Sequence, residues 1–179
     1  MKITVPTSLE GVTIAQHRRL EELAKIEDET TRLVRQVAFL CQLTEAQVRA
    51  MEKASFDKVL DAMRDLINPV ADWPLVRFIE VEGERYGFHP NLSSLTVSEY
   101  ADLETYCKDA HDNLEAILSI LYRKVTEEHG VFYKIAPYAG SQADKFGEVT
   151  MNVALGALAF FLRTAISLQA DLNISLKET

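Results

Sequence analysis

The stretch LVRFIEVEGERYGF, Leu75 to Phe88, decides the fold class of this chain. Apolar and polar residues alternate on both sides of its central EGE, and a period of two is typical of strands joined by a tight turn. The segments before and after it instead place apolar residues three or four positions apart, which is the spacing of helices. The sequence therefore predicts a β-hairpin within an otherwise helical protein.

Toward the N-terminus the sequence predicts helices with clear start signals. Thr13 and Thr44 are each followed three residues later by Gln. This is the capping-box pattern, in which two side chains and two backbone N–H groups satisfy one another. Ser55 is predicted to cap a further helix, which Pro69 ends because proline disfavours a helical residue before it. KITV, residues 2–5, alternates and is predicted to form a short edge strand.

Toward the C-terminus the loop HPNLSS leads to a third predicted capping box, Thr96 with Glu99. Two helices are predicted next, VSEYADLETYCK and HDNLEAILSILYRKV, and Gly130 is predicted to close the second. The alternation of VFYKI predicts a strand from Val131 to Ile135. A final helix is predicted over residues 151–172.

These elements predict an α+β fold that is mainly α. We expect about six to seven helices, a small β-hairpin and one or two extra short strands. Residues 1–68 form an N-terminal helical part, and residues 69–179 form the hairpin plus the C-terminal helices. The two parts are predicted to pack as one compact unit. The last helix is apolar on more than one side, so something must cover it. Its small residues permit close helix approach, inside the fold or between chains: Ala154, Gly156, Ala157 and Ala159.

The composition excludes several classes of function. The formal net charge of −8 repels phosphate backbones, so no direct nucleic-acid binding is expected, and a basic membrane-surface helix is equally disfavoured. Cys41 and Cys107 do not make a disulfide framework, which favours a reducing compartment. The N-terminus lacks the apolar core of a signal peptide. The most apolar run, Val153 to Leu162, is too short to span a bilayer.

The sequence offers no clear catalytic or metal-binding pattern. Cys107 and His111 have the i, i+4 spacing of half a metal site, but no second ligand pair is evident. There is no Gly-x-Ser-x-Gly elbow and no phosphate-cradling glycine loop. We therefore expect no catalytic residues, no metal and no cofactor, and a protein that is not an enzyme.

Candidate binding residues are those that packing alone does not explain. The run Asp102–Glu115 contains five acidic residues and one lysine, and forms either a solvated helix face or a docking face for a basic partner. Arg123 follows an aromatic residue and is predicted to pair with Asp102 or Glu99, or to contact a partner chain. Trp73, beside a proline, either fills the core or binds a partner. The predicted partner-binding set is Trp73, Phe88, His89, Asn91, Asp102 and Arg123.

Five segments of the chain, taken in order, resemble a family of small proteins from tailed bacteriophages. They are VPTSLEGVTIAQHRRL, ERYGFHPNLSSLTVSEYADLE, AILSILYRKV, YKIAPY and LGALAFFLRTAI, and they span most of the chain. The shared pattern is a Gly-Phe-x-Pro-Asn-Leu loop, a Leu-Thr-x-x-Glu-Tyr-x-Asp-Leu helix start and a Leu-Tyr-Arg helix. Lys124 stands where related sequences often have proline, so the last of these helices is expected to continue further. The shared positions are Gly87, Phe88, Pro90, Asn91, Leu92, Thr96, Glu99, Tyr100, Asp102, Leu103, Leu121, Tyr122 and Arg123.

The resemblance implies a role in phage morphogenesis without catalysis. The family is placed among tail-morphogenesis genes, as assembly chaperones or as structural proteins of unknown role. The first expectation is a tail assembly chaperone that binds tail or tape-measure proteins. The alternatives are a virion structural component of the neck, baseplate or head, and a phage-encoded inhibitor that binds a host protein or a small ligand.

The expected partners and location follow from the same resemblance. The partners would be other phage structural or tail proteins and further copies of the chain, with no membrane involved. The expected location is the host cytoplasm during assembly, or the virion itself. Mass spectrometry of purified particles separates these cases, because a chaperone is absent from particles and a structural component is present at a fixed copy number.

Overall fold

The computed structural model describes residues 8–67, 73–130 and 132–175. The chain divides into two compact units, Met1–Ala71 and Asp72–Thr179. The described residues form seven α-helices and one four-stranded antiparallel sheet, which confirms the predicted fold class, α+β and mainly α. The strand predicted at residues 2–5 and the helix end predicted at Pro69 lie outside the described residues.

The first unit is helical. Both predicted capping boxes are present: the Thr13 and Thr44 side chains each accept a hydrogen bond from the backbone N–H three residues on, and the Gln side chain there accepts one from the threonine N–H. The prediction that Ser55 caps a helix was wrong, because that helix already begins at Lys53. The second helix packs against the first and the third. The helices are α1 (Ile14–Ala24), α2 (Glu29–Leu40), α3 (Glu45–Arg49) and α4 (Lys53–Ile67).

The second unit contains the sheet and three helices. The strands lie in the order β1-β2-β3-β4, and each neighbouring pair is antiparallel. The hairpin predicted within Leu75 to Phe88 is confirmed as β1 and β2. The elements are β1 (Phe78–Val81), β2 (Glu84–Phe88), α5 (Val97–Tyr106), α6 (Leu114–Leu121), β3 (Tyr122–His129), β4 (Phe132–Ile135) and α7 (Met151–Ser175).

The helix predicted over HDNLEAILSILYRKV was wrong in its second half. Helix α6 ends at Leu121, and Tyr122 is already the first residue of β3. Gly130, predicted to close a helix, instead forms the turn between β3 and β4 with φ of 63°. The Leu-Tyr-Arg segment and Lys124, which the resemblance placed in a helix, therefore lie where a helix passes directly into a strand.

Tyr122 begins a strand, and not the end of a helix, because β3 pairs with a strand distant in the sequence. The spacing of apolar residues within one segment does not show such a pairing. Strand β3 pairs with β2, so Tyr122 lies opposite Phe88, and the two rings meet edge to face at 5.3 Å. The Tyr122 hydroxyl donates a hydrogen bond to the carbonyl of Val76. Tyr122 is completely buried, and burial raises the pKa of its hydroxyl, which stays a donor at neutral pH.

Helix α6 is the centre of the second unit. All of its residues except Glu115 are buried, and it packs against α5, α7 and β3. A helix that is apolar all round must be enclosed by other elements. Helices α5 and α7 and strand β3 are therefore arranged around α6.

The small residues of α7 pack against other parts of the second unit. Ala154 and Ala157 are fully buried, and a Cβ added to Gly156 would lie 2.6 Å from the carbonyl oxygen of Pro74. The close approach that the sequence left open is thus, at Gly156, a contact between α7 and the chain before β1. Among the described residues, none of the helices combines the length and apolar character that crossing a membrane requires.

Replacing Glu82 with Asn should raise the free energy of unfolding. Glu82 and Gly83 have φ of 52° and 76°, so both central residues of the β1–β2 turn lie in the left-handed region of a type I′ turn. That region costs an ordinary side chain about 1–2 kcal/mol, and Asn tolerates it better. Urea unfolding should show a gain of about 0.5–1 kcal/mol. A loss of stability in Glu82→Asn would contradict this assignment of the turn.

Candidate functional site

An apolar groove lies between α5 and the middle of α7. The short 3-10 turn Leu92–Ser94 closes one end of it, and its volume is about 720 Å³. We call it the α5–α7 groove. Its polar lining is limited to Ser93, Thr96, Glu104 and Lys108. The apolar lining residues are Leu92, Leu95, Val97, Tyr100, Leu103, Cys107, Phe161, Leu162 and Ala165.

The exposed large hydrophobic residues of the described chain gather at this groove and beside it. Val97, Tyr100 and Leu162 line the groove and are 87%, 58% and 41% exposed. Ile166, one turn beyond Leu162 on α7, is 67% exposed. Contiguous apolar surface of this kind marks a binding site more often than scattered single residues do.

A second pocket adjoins the groove across the Leu92–Ser94 turn. Its volume is about 420 Å³, and the two remaining exposed hydrophobic residues, Phe132 and Phe160, line it. Phe88, His89 and Asn91, three of the predicted binding residues, also line this pocket. Leu92 and Ser93 line both the groove and this second pocket, so the Leu92–Ser94 turn lies between them.

A buried ion pair anchors α5 behind the groove. Glu99 is 1% exposed, and its Oε1 lies 2.6 Å from Nη1 of Arg123 on β3. Its Oε2 accepts hydrogen bonds from the backbone N–H and the hydroxyl of Thr96, each at 2.7 Å, so the third predicted capping box is confirmed. The same carboxylate therefore starts the helix and ties it to the sheet.

The electrostatics of Glu99 keep it ionised. Burial raises the pKa of this carboxyl, but the hydrogen bonds from Thr96 and the charge of Arg123 lower it more, and the resulting pKa lies below its ordinary value. A carboxylate buried this deeply is stable only while its partner is present. The pair is therefore a structural requirement of the wall formed by α5.

Of the two partners that the sequence left open for Arg123, the structure selects Glu99. Asp102 instead accepts a hydrogen bond of 2.6 Å from the Tyr138 hydroxyl. Burial and this carboxylate raise the pKa of Tyr138, so its hydroxyl remains protonated and donates. Asp102 fastens the segment after β4 to α5.

His89 holds the loop in place. It is buried, its Nδ1 accepts a hydrogen bond of 3.3 Å from the Asn91 backbone, and its Nε2 lies 3.9 Å from Oε1 of Glu99. Burial, and then the charge of Arg123, lowers the pKa of His89, which is neutral at pH 7. The Asn91 side chain accepts a hydrogen bond from Ser93 N–H and so begins the turn that ends the groove.

The predicted binding residues mostly support the surface from inside. Phe88 is 3% exposed and contacts the rings of Tyr122 and Phe160, and Trp73 is half-buried. Of the predicted set only Asn91 is exposed. The direct roles of these residues in partner binding stay predictions.

The groove-lining residues were absent from the predicted set. Val97 and Tyr100 belong to a helix start, and Leu162 belongs to a run that has the composition of a core helix. Whether such residues are covered depends on which elements pack over them, and local periodicity does not contain that information. The available signal was that the last helix is apolar on more than one side.

No protein-family model, no curated protein and no solved structure matches this chain.

Proposed function

We propose that this protein is a non-enzymatic morphogenesis protein of a tailed bacteriophage. In this proposal it acts as a tail assembly chaperone and binds an apolar helical segment of a tail or tape-measure protein in the α5–α7 groove. The observation that carries the proposal is the gathering of exposed large hydrophobic residues around that groove. The resemblance to tail-morphogenesis proteins supports the identity of the partner.

The shape of the site favours a helix as the bound element. Two helices, α5 and α7, form its walls, and an amphipathic helix places its apolar face into such a groove through residues three and four apart. Complete burial of a side chain as exposed as Val97, at 87%, contributes about 1.5–3 kcal/mol, and Leu162, at 41%, contributes a smaller part in proportion to its exposed area. A few such contacts supply most of the affinity in a typical interface.

The contacts that hold α5 in place also suit a binding role for the groove. The Glu99–Arg123 pair and the Asp102–Tyr138 hydrogen bond fix α5 to the sheet and to the segment after β4. A wall that is already in place before the partner arrives reduces the entropy lost on binding. The groove can therefore hold an apolar segment without folding around it.

Substitution of groove residues should strongly weaken partner binding while the protein stays folded. Val97→Asp and Leu162→Asp each place a charge in the apolar lining, and we expect either one to weaken binding by about 2 kcal/mol or more, roughly thirtyfold in Kd. The measurement is co-expression with tail and tape-measure proteins of a tailed bacteriophage, followed by co-purification and titration calorimetry.

Phe132→Asp is the matched control. Phe132 is 77% exposed but lies outside the groove, so the same kind of substitution should leave binding through the groove unchanged. Thermal unfolding checks that all three variants are folded. The proposal would be abandoned if the unmodified protein co-purified with none of the phage tail proteins, or if Phe132→Asp and Leu162→Asp weakened binding equally.

A further inference from the structure

We infer that the α5–α7 groove selects a basic amphipathic helix, with an apolar face and lysine or arginine residues along its flanks. This inference rests on the proposed function and names the chemistry of the partner. It comes from the distribution of charge between the two units and around the groove.

The negative charge of the protein is concentrated in the unit that contains the groove. Residues 1–71 carry ten Lys and Arg against eleven Asp and Glu, a formal net charge of −1. Residues 72–179 carry nine Lys and Arg against sixteen Asp and Glu, a formal net charge of −7. Almost the whole excess of negative charge thus belongs to the unit that contains the groove and the sheet.

The basic side chains of the sheet are already paired. In the described part of the second unit, Arg85, Arg123, Lys124 and Lys134 each form an ion pair with a glutamate. Those glutamates belong to the sheet or to the buried start of α5, so the positive charges of these four residues are neutralised within the fold. The surplus acids lie elsewhere, and part of that surplus is in the acidic run at the edge of the groove.

Two exposed acids lie at the end of α5 beside the groove. Glu104 lines the groove together with Lys108, and Asp109, which is not part of the lining, ends the 3-10 turn Cys107–Asp109 that follows α5. Both are exposed, and neither forms an ion pair within the described part of the chain. A helix lying in the groove with basic flanks would place its charges against them.

The same charges disfavour a second copy of this chain as the occupant. Two units of −7 repel each other at long range, whereas a basic segment is attracted and its association is accelerated. The apolar lining supplies affinity, and the acidic surroundings decide between apolar helices of different charge. The exposed acids of the run from Asp102 to Glu115 thereby act as a docking face as well as a solvated surface.

The test compares two peptides that differ only in flank charge. Both are roughly 20-residue amphipathic helices with leucines on the apolar face, and they carry lysines or glutamates on the flanks. Fluorescence anisotropy with the full chain should show the lysine peptide binding about tenfold tighter or more, with the preference shrinking between about 50 and 300 mM salt. The double variant Glu104→Lys with Asp109→Lys should lose most of the preference.

Two control variants separate groove binding from general attraction. Glu80→Lys with Glu82→Lys makes the same change in net charge on the β1–β2 hairpin, outside the groove, and should keep most of the preference. Leu162→Asp adds negative charge yet should lose the lysine peptide, because the apolar contact is removed. If Leu162→Asp bound the peptide as well as the unmodified protein did, the attraction would be nonspecific and the inference would be overturned.

The remaining outcomes distinguish this inference from the proposed function. Equal binding of the two peptides at low salt, or no binding of the lysine peptide, overturns the charge preference even if tail proteins co-purify through the groove. A free protein that is dimeric and becomes monomeric in Leu162→Asp identifies a second copy as the occupant and also overturns it. A clear charge preference without any co-purifying tail protein would leave the inference standing and count against the proposed function.

Discussion

Arg123→Met should lower the free energy of unfolding by about 3–5 kcal/mol, since it leaves the buried carboxylate of Glu99 without its countercharge. Glu99 is 1% exposed, and Nη1 of Arg123 is the group 2.6 Å from its Oε1. Methionine keeps most of the side-chain volume, so the loss comes from the unpaired charge. Urea unfolding followed by circular dichroism measures it.

Two further variants show whether charge is the cause. The double variant Glu99→Gln with Arg123→Met removes both charges and should recover part of the loss, because no ion is then buried alone. Arg85→Met breaks an ion pair with Glu128 in the same sheet, but both side chains are substantially exposed, so it should cost less than about 1 kcal/mol. Equal losses in Arg85→Met and Arg123→Met would contradict the role assigned to burial.

The pH dependence of stability that comes from Glu99 should be weaker in Arg123→Met than in the unmodified protein. In the unmodified protein the pKa of Glu99 lies below its ordinary value, so its contribution to stability is present at neutral pH and is lost as the pH falls through that lowered pKa. Without Arg123, only the Thr96 hydrogen bonds and His89 oppose the effect of burial, so the pKa of Glu99 is higher than in the unmodified protein and less of this contribution is present at neutral pH. The stability gap between the two proteins should therefore narrow as the pH falls from 7 toward about 4.

Gly156→Ala should destabilise the protein by about 1–3 kcal/mol, although the same exchange favours an isolated helix by about 1 kcal/mol. The added Cβ would lie 2.6 Å from the carbonyl oxygen of Pro74 and 3.1 Å from that of Trp73. Both are backbone atoms, which cannot move aside by rotation of a side chain. Gly156→Val should cost more, because it adds further atoms to the same contact.

Ala159→Gly measures, on the same helix α7, how much stability the difference in helix propensity between alanine and glycine is worth. Ala159 is half-buried, and its replacement by glycine should cost about 1 kcal/mol through helix propensity. Both variants are measured by thermal and urea unfolding. A loss of stability in Gly156→Ala means that the close contact with Pro74 outweighs the gain in helix propensity, and a gain means the reverse. A gain of stability in Gly156→Ala would mean that α7 does not touch the chain before β1 as described.

Much of the secondary structure was predictable because its signals are local. The three capping boxes, at Thr13, Thr44 and Thr96, each need only residues three positions apart, and all three form. The hairpin of β1 and β2 likewise depends on alternation around one tight turn.

The candidate site was much less predictable. The loop HPNLSS, residues 89–94, was correctly expected to connect the hairpin to a helix, but the groove beside it involves α7, which follows much later in the chain. An exposed valine or leucine in the groove has the same identity as a buried one in the core. Only the arrangement of neighbouring elements separates them.

The sequence by itself determined where most helices begin, that one hairpin interrupts them, and that the exterior is acidic, since capping, alternation and net charge are properties of nearby residues or of simple counts. Only the tertiary structure decided that Tyr122 and Arg123 enter a strand, that Arg123 pairs with Glu99, and that Leu162 stays exposed. The physical reason is that strand pairing, ion pairing and burial join residues distant in the chain, and the energy of those contacts overrides local helix preference.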